Sequence, residues 1–352
     1  MKDISHELID RVKLARTDGT KLRIVGGGSK DFMGRELEGE PLSMAEHSGI
    51  LSYQPIELVL TARAGTPLVD IEATLAEQGQ MLAFEPPLFD GRATIGGTLA
   101  CHLSGPGRPW SGSVRDHVLG VRLINGRGES LRFGGQVMKN VAGYDVSRMQ
   151  AGAMGTLGII SEVSLKVMPR PAATVTLKRE MGATQAIEEM NRLAGQPRPL
   201  TGACWFDNHL YVRLAGARSA VDSTVSQWSG TVLEGGDALW QKLGEQQLDY
   251  FAGEAPLWRF SLNSSARHLL PEEAWLLDWG GSQRWLRGHF AREELEGLAE
   301  SAGGQVSLYR GGDRRQEVFH HQPEALRLLH QRLKSAFDPD RIFNPGRLYS
   351  WM

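Results

Sequence analysis

The sequence predicts an α+β protein with two domains. The chain has 352 residues, and at roughly 150 residues per domain this leaves room for two hydrophobic cores. Its composition changes along its length: 24 of the 42 glycines lie in residues 1–170, whereas seven of the nine tryptophans lie between Trp205 and Trp285. Helical and strand-like periodicities alternate in both parts. These observations predict domains at 1–172 and 173–318, followed by a C-terminal segment at 319–352.

Charge and composition exclude several classes of function. The 39 Lys and Arg residues against 41 Asp and Glu give a formal net charge of -2, so the basic surface of a nucleic-acid-binding protein is not expected. Two cysteines are too few for a disulfide framework, which suits a reducing compartment. The ten histidines have neither HxxxH nor HExxH spacing, so no metal site is predicted. No run of 18 apolar residues occurs, so no membrane span is expected and a cytoplasmic location is predicted.

The first domain is predicted to be α+β with a mixed sheet. Thr66 and Pro67 are the expected N-cap and first residue of one helix, and Asn125-Gly126 predicts a hairpin because both residues tolerate positive φ. The strand at its C-terminal end alternates apolar and polar residues, which predicts one buried face. In chain order we expect a helix at 4–15, strands at 21–25 and 57–61, a helix at 67–79, and strands at 118–124, 129–133 and 162–167.

The second domain is predicted to be an antiparallel sheet covered by helices on one side. Asp207-Asn208 marks a hairpin within it. The expected elements are a helix at 183–193, strands at 203–206 and 210–214, a helix at 219–228, strands at 257–262, 275–279 and 284–286, a helix at 292–302 and a strand at 305–309. The tryptophans of this domain either pack in its core or form a subunit interface, and any exposed ones are the first candidates for partner contact.

A last helix is predicted at 323–337. Leu326, Leu329, Leu333 and Phe337 fall on one stripe of this helix, which predicts that the stripe packs against a core.

Three glycine clusters of the first domain have the composition of loops that approach an anion closely. Glycine lets backbone N–H groups converge without a Cβ in the way, and Ser and Thr hydroxyls add donors. Neither of the first two clusters matches G-x-G-x-x-G or G-x-x-x-x-G-K-[ST], so a Rossmann or P-loop site is not supported. The clusters are Gly26 to Lys30, Thr94 to Thr98, and Gly152 to Ile160. Each alone could be an ordinary tight turn, but together they predict a site for a planar, diphosphate-bearing ligand.

At this point the sequence resembles a known family. The segments DGRATIGGTLACHLSGPGRPWSGSVRDHVLGVRLINGRGE, MKNVAGYDVSRMQAGAMGTLGIISEVSLKVMP and FDPDRIFNPGRL are similar, in order and spacing, to the PCMH-type FAD-binding domain of vanillyl-alcohol-oxidase-type flavoproteins. Within that family the KNVAGYD and FNPGRLY stretches most resemble the smaller FAD-binding subunits of bacterial glycolate dehydrogenases. The resemblance implies a PCMH-type FAD domain, a smaller α+β, ferredoxin-like cap domain, and a C-terminal segment that returns to the FAD domain.

The resemblance also implies which residues bind FAD. It places the first loop and the TIGG loop on the pyrophosphate, the GSVRD segment near the ribityl chain and flavin, the third cluster against the flavin or adenine, and the NPGR ending back in the flavin pocket. The implied residues are Gly26, Gly27, Gly28, Ser29, Lys30, Thr94, Gly96, Gly97, Gly112, Ser113, Asp116, Gly158, Ile159, Ile160 and Asn344. Lys139 is a further candidate, either as a cation beside the anionic reduced flavin or as a partner in a salt bridge.

Two departures from the family pattern affect the chemistry. Many relatives have a His directly after the triple glycine, and some attach flavin through it, but this chain has Ser29 and Lys30 there, so FAD is expected to be noncovalent. The metal-binding GDGN stretch of larger relatives is also missing, which puts independent substrate oxidation in doubt. His320, His321 and Arg315 could supply a base and a carboxylate clamp, or they could be surface groups or cross-domain hydrogen-bond donors.

The implied function is that of the FAD-binding subunit of a complex that oxidises glycolate to glyoxylate. Its partners would be a larger FAD-binding subunit and an iron–sulfur subunit, and any membrane attachment would be peripheral, at the inner membrane, through them. Two alternatives stay open: a flavin relay or assembly subunit that never meets substrate, and an independent flavoenzyme acting on another small alcohol or sugar acid.

Overall fold

The computed structural model describes residues 2–135, 144–271 and 273–352. The chain forms two compact units, and each unit contains more than one stretch of sequence. The first comprises Met1–Leu103, Ser113–Pro169 and Asp313–Met352, and the second comprises Ser104–Gly112 and Arg170–Gly312. The C-terminal segment therefore belongs to the first unit. The sequence-based division at 172/173 and 318/319 stays a proposal, and residues 104–112, which it assigned to the first domain, group with the second unit.

The first unit combines helices with a five-stranded antiparallel sheet of order β3-β4-β8-β6-β7 and a parallel pair, β1-β2. The α+β class is confirmed, but the predicted mixed sheet is wrong, because the parallel pair forms a separate small sheet. Its elements are α1 (Ser5–Asp18), β1 (Leu22–Val25), β2 (Glu40–Ser43), β3 (Ile50–Gln54), β4 (Val59–Arg63), α2 (Leu68–Ala76), β5 (Gln80–Met81), α3 (Ile95–Cys101), α5 (Val114–His117), β6 (Val118–Ile124), β7 (Ser130–Gly134), α6 (Tyr144–Met149), β8 (Ile159–Lys166), β9 (Met168–Pro169) and α11 (Glu324–Phe337).

Three local expectations in this unit need correction. Pro67, not Thr66, is the N-cap of α2, because the Thr66 hydroxyl donates to the Arg63 carbonyl and accepts from the Gly49 N–H. The Asn125-Gly126 hairpin is present, but the positive φ falls on Gly128. Strand β8 is buried on both faces, since it is the middle strand of the sheet.

One hydrophobic core holds the first unit together. Helices α1 and α2 contribute aliphatic side chains at helical spacing, and the sheet contributes alternating residues of β4, β6 and β8. Ile342 and Phe343, from the C-terminal segment, are fully buried in the same core, and Leu22 of β1 forms a parallel bridge with Phe343. Burial of these side chains fixes the end of the chain beside β1.

The second unit contains an eight-stranded antiparallel sheet of order β13-β10-β12-β11-β15-β16-β14-β17. The Asp207-Asn208 hairpin joins β11 to β12, and both turn residues have positive φ, as a type I′ turn requires. The elements are α4 (Arg108–Ser111), β10 (Ala173–Glu180), α7 (Ala183–Ala194), β11 (Leu200–Phe206), β12 (His209–Gly216), α8 (Arg218–Gln227), β13 (Thr231–Val232), α9 (Gly236–Gly244), β14 (Leu257–Ser261), β15 (Trp275–Asp278), β16 (Gln283–Arg287), α10 (Arg292–Ser301) and β17 (Gln305–Arg310).

For the tryptophans of the second domain, the structure supports the first of the two predicted alternatives, which is packing in the core. Six of the seven clustered tryptophans are buried, so they pack in the interior of the second unit; they are Trp205, Trp240, Trp258, Trp275, Trp279 and Trp285. The leucine stripe of α11, in contrast, is largely exposed at its N-terminal half. Leu326 and Leu329 are 43% and 50% exposed, so the prediction that the stripe packs in a core is wrong for its first half. Phe337, at the other end of the stripe, does pack against the core of the first unit. A 3.6-residue period identifies an apolar face, but it does not show what covers that face.

Candidate functional site

A cleft of about 360 Å³ in the first unit is lined by segments from both ends of the sequence. It collects the glycine loop that follows β1, the loop at the start of α3, the loop before β8 and the C-terminal segment. Of the residues singled out from the sequence, those that line it are Gly26, Gly27, Gly28, Ser29, Lys30, Thr94, Gly96, Gly97, Gly158, Ile160 and Asn344.

The first two glycine loops pack directly on each other. A Cβ on Gly27 would lie 1.7 Å from the Arg92 carbonyl oxygen, and a Cβ on Gly26 would lie 2.7 Å from Oγ1 of Thr94. Larger residues at these positions would push the two loops apart. The glycines therefore permit the close approach of one backbone to another, as well as of backbone to ligand.

The first loop presents hydrogen-bond donors to the cleft. In the part of the chain that the structure describes, the backbone N–H groups of Gly27, Gly28 and Ser29 donate to no protein acceptor. Lys30 follows them, is 6% exposed, and donates from Nζ to Oγ of Ser29 over 3.1 Å. Backbone donors together with a cation favour an anionic ligand group.

The second loop is fixed by a helix cap. Thr94 is the N-cap of α3, and its hydroxyl accepts from the Gly97 N–H. A Cβ on Gly96 would lie 2.6 Å from Cβ of Ala64, so this glycine is required by packing. Gly97 instead faces the first loop, because its Cβ position is 4.0 Å from Nζ of Lys30.

Asn344 joins the C-terminal segment to two other walls of the cleft. Its Oδ1 accepts from the Ile24 N–H over 2.8 Å, and its Nδ2 donates to the Met154 carbonyl over 2.7 Å. Gly155 has positive φ, and a Cβ there would lie 2.7 Å from Nδ2 of Asn344. The side chain of Asn344, which is 5% exposed, thus links three segments that line the cleft.

Sequence reasoning missed several residues of the lining, and Arg347 is the most informative of them. Its guanidinium donates to the carbonyls of Asp31 and Arg35, and burial lowers the pKa of Arg347 below its usual value. The available signal was the same FNPGR ending that pointed to Asn344. Arg23 also lines the cleft and had no comparable signal.

Some of the residues predicted to bind FAD do not line this cleft. Gly112 ends the 104–112 segment of the second unit, and Ile159 is fully buried in the core. Ser113 and Asp116 form a capping box on α5. Burial tends to raise the pKa of Asp116, but two hydrogen bonds from Ser113 and the charge of Arg148 hold it below its usual value. Lys139 falls outside the described residues.

The candidate catalytic residues are not part of this lining. Arg315 has a side chain that is 80% exposed, and its Nε lies 3.1 Å from Oε2 of Glu36. His320 is buried, His321 is exposed, and their rings stack with centroids 4.9 Å apart. A carboxylate clamp at Arg315 would have to displace the Glu36 carboxylate.

Comparison with known proteins identifies the family. Residues 5–134 match the family of FAD binding domains. The chain is 47% identical over 349 residues to glycolate oxidase subunit GlcE of Escherichia coli, and the match covers 99% of this chain and 98% of that protein. The chain belongs to the GlcE family of FAD-dependent oxidoreductase subunits. The resemblance seen in the sequence motifs is therefore confirmed, as is FAD as the cofactor.

More distant relatives share part of the sequence or the fold. Glycolate oxidase subunit GlcD of Bacillus subtilis is 31% identical over 141 residues, which cover 40% of this chain and 30% of that protein. The solved structure of an alkyldihydroxyacetonephosphate synthase matches with a TM-score of 0.66 at 16% identity, and the match covers 97% of this chain and 76% of that one. This second likeness shows a shared fold, and the PCMH-type prediction is confirmed.

The cleft of this GlcE-family chain fits FAD on two observations. Backbone N–H groups of the first loop have no acceptor among the described residues, and the residues that carry them line the cleft. Gly97 also lacks the Cβ that would otherwise extend toward the first loop, 4.0 Å from Nζ of Lys30. Gly26 to Lys30 and Gly97 would hold the diphosphate, and Ile160 and Gly158 offer an apolar wall for a planar ring.

Proposed function

We propose that the chain is the FAD-binding subunit of a complex that oxidises glycolate, a 2-hydroxy acid, to glyoxylate and passes the electrons to an iron–sulfur subunit. The observation that carries the proposal is the 47% identity to a glycolate oxidase subunit over nearly the whole length of both proteins. The cleft supports it, because its glycine loops suit a dinucleotide flavin. FAD is proposed to be noncovalent, since Ser29 stands directly after the triple glycine.

In this proposal the chain's own residues bind and orient the cofactor. Bound FAD would supply the hydride acceptor for the C–H hydrogen of the alcohol. The backbone donors of Gly27 to Ser29 would hold the diphosphate, and Asn344 ties the C-terminal segment to the rest of the lining through its bonds to Ile24 and Met154. Oxidation also needs a base for the hydroxyl proton. Asp31 and Glu36 are the carboxylates in the described lining.

A second candidate function is a flavin relay, in which electrons arrive from the larger subunit and substrate never enters. One observation favours it. The described residues that line the cleft include no histidine, and the candidate clamp Arg315 is paired with Glu36 at the surface. A relay subunit would need the flavin loops but neither a base nor a carboxylate clamp.

Anaerobic addition of glycolate to the purified chain carrying FAD tests both functions. If the chain is catalytic, we expect the visible flavin band to bleach at a rate close to turnover of the complex. If it is a relay, bleaching requires the larger subunit. Flavin that stays oxidised even in the reconstituted complex would contradict the proposed function.

The proposed partners are a larger FAD-binding subunit and an iron–sulfur subunit, and location in the cytoplasm or at the inner-membrane periphery would follow from them. In the described residues, no helix has the length and apolarity to cross a bilayer. The exposed leucines Leu326, Leu328 and Leu329 of α11 support a subunit contact, because clustered exposed apolar side chains are typical of interfaces.

Charged residues on α11 should disrupt assembly without disrupting the chain. We expect the double variant Leu326→Glu/Leu329→Glu to fold and bind FAD, but to bind the partner subunits at least ~10-fold more weakly, since a truncated interface anchor costs more than ~1 kcal/mol. Co-purification and a titration of the partner subunits measure this. Ile56→Glu is the control, because Ile56 is an isolated aliphatic residue that is 95% exposed. Equal binding by both variants would exclude α11 as the contact.

A further inference from the structure

The second unit contains a cavity of its own, with a volume of about 300 Å³. It is lined by residues of β10, β12 and α7 and by the segments in which α7 and α8 end. This volume is at the lower end of the range for small-molecule sites. Part of the lining is apolar and consists of four buried aliphatic side chains, Leu177, Leu193, Leu210 and Val212.

Three arginines line this cavity together with a single carboxylate. Nη1 of Arg179 donates to Oε1 of Glu189 over 2.7 Å. Nε and Nη2 of Arg192 donate to Oε2 and Oε1 of the same glutamate over 2.6 and 2.8 Å. The hydrogen bonds from Arg192 are the main reason that the pKa of Glu189 is below its usual value, so this carboxylate is ionised. Arg198 donates only to the neutral amide oxygen of Gln227 among the described residues.

The lining therefore carries more positive than negative charge. Three arginines and one glutamate give it a formal charge of +2, whereas the whole protein has a formal charge of -2. Helices α7 and α8 end beside the cavity, and each C-terminus contributes a partial charge of about -0.5, which leaves the lining positive by roughly one unit. An ion-pair network that only joined β10 to α7 would need no third arginine.

An indole ring completes the lining and adds an apolar surface to the charge. Trp228 is half-buried, and its Nε1 donates to Oε1 of Gln196 over 3.2 Å, which holds one edge of the ring. A guanidinium has five N–H donors and binds carboxylate or phosphate oxygens with paired hydrogen bonds. Among the described residues, protein acceptors take one donor atom of Arg179, two of Arg192 and one of Arg198. Donors therefore remain for an anion.

We propose that this cavity binds a small organic anion, in which a phosphate or carboxylate group is joined to an apolar body. Arg198 and the remaining donors of Arg192 bind the anionic group, and the body packs on Trp228 and the aliphatic side chains. The proposal is independent of the FAD site, because the two cavities share no lining residue.

Titration calorimetry of the full-length chain with phenyl phosphate and with benzoate tests the proposal. Saturating FAD is present throughout, so that the phosphate probe does not enter the FAD cleft. We expect the better of the two probes to bind with a dissociation constant below ~1 mM, as a ligand of this size does in a preformed site. Inorganic phosphate lacks the apolar body and benzyl alcohol lacks the charge, so each should bind at least ~10-fold more weakly. The order of the two aromatic anions assigns the ligand group as phosphate or carboxylate.

Three variants locate the bound anion. Arg198→Gln should weaken binding of the better probe ~10–100-fold, the range for loss of a hydrogen bond to a charged group. Arg218→Gln is the matched control, because Arg218 is exposed at the first residue of α8, at the other end of that helix, and carries the same charge. It should leave the affinity unchanged. Trp228→Leu should weaken binding of the aromatic probe ~3–10-fold without weakening that of inorganic phosphate. Circular dichroism melting establishes that each variant is folded.

Several results would overturn the inference. If neither aromatic anion bound, the cavity would not be an anion site. Equal affinity for benzyl alcohol and for the anions would show that the arginines contribute nothing. Equal losses in Arg198→Gln and Arg218→Gln would show that the anion binds elsewhere. These results leave the FAD site intact, whereas a wild-type chain that failed to bind FAD would contradict that site and not this one.

Discussion

Replacement of Lys334 by methionine is expected to lower the free energy of unfolding by about 3–5 kcal/mol, the usual cost of removing one partner of a buried ion pair. Lys334 and Asp338 have fully buried side chains, and Nζ lies 2.8 Å from Oδ2. Methionine fills a similar volume but leaves the Asp338 carboxylate without its counter-charge. Chemical denaturation of the flavin-free chain, followed by circular dichroism, measures the loss.

The large effect follows from the number of groups that this lysine satisfies. Nζ also donates to the carbonyls of Thr156 and Phe343, each over 2.7 Å, while Asp338 accepts from the N–H groups of Ile342 and Phe343. One substitution therefore leaves two buried carbonyls and a carboxylate with fewer donors. Burial of these groups makes each lost hydrogen bond costly.

The control for this variant is a surface ion pair of the same unit. Arg315 pairs with Glu36, and both side chains are mostly exposed, so Arg315→Met should change the unfolding free energy by less than about 1 kcal/mol. If Lys334→Met were no more destabilising than Arg315→Met, the buried pair would contribute little to stability. FAD affinity should also fall in Lys334→Met, because Thr156 lies in the loop between Gly155 and Gly158, which line the cleft.

Local signals in the sequence predict local structure well in this chain. The Asp207-Asn208 hairpin is present with both residues at positive φ, because the conformation depends on those two residues themselves. The hairpin at Asn125 is also present, but its turn differs from the predicted one. The Asn125 side chain accepts from the N–H groups of Arg127 and Glu129 and closes a longer turn, in which Gly128 takes the positive φ.

Which residues the fold brings together is harder to predict from the sequence. The glycine loops are detectable because their composition is unusual at each point of the chain, and the structure brings them to one cleft. Arg23 is an ordinary arginine in sequence, and only the structure shows that it lies in the lining together with Arg347 of the C-terminal segment. The leucines of α11 illustrate the same limit, because their spacing indicates a helix face but not whether the chain itself covers that face.

A valine at Gly97 is expected to remove FAD binding from a chain that still folds. Gly97 does not have positive φ, and it lies inside α3, where valine is no worse than glycine for helix stability. Its Cβ would lie 3.2 Å from Oγ1 of Thr94 and 4.0 Å from Nζ of Lys30. The added methyl groups would therefore extend into the space between the two loops, where we propose that the diphosphate binds.

Gly97 is a better position for this test than Gly27 or Gly96, because a Cβ there does not overlap backbone. At Gly27 a Cβ would overlap the Arg92 carbonyl oxygen, and at Gly96 it would lie 2.6 Å from Cβ of Ala64. Substitution of Gly27 or Gly96 would displace the backbone. A loss of FAD binding could then come from misfolding as well as from a blocked site. We expect Gly97→Val to raise the FAD dissociation constant at least ~100-fold, since two lost hydrogen bonds to charged oxygens at ~1.5 kcal/mol each correspond to that factor.

The matched control is Gly297→Val. Gly297 is also a helical glycine, in α10, but apart from its chain neighbours and the backbone of its own helix no atom lies within 4 Å of its Cβ position. Titration of FAD into both flavin-free variants, with thermal melting as the check on folding, separates a blocked site from a general effect of valine in a helix. Retention of FAD at normal stoichiometry by Gly97→Val would show that the diphosphate does not lie between these loops, and the position of the cofactor in the cleft would have to be reassigned.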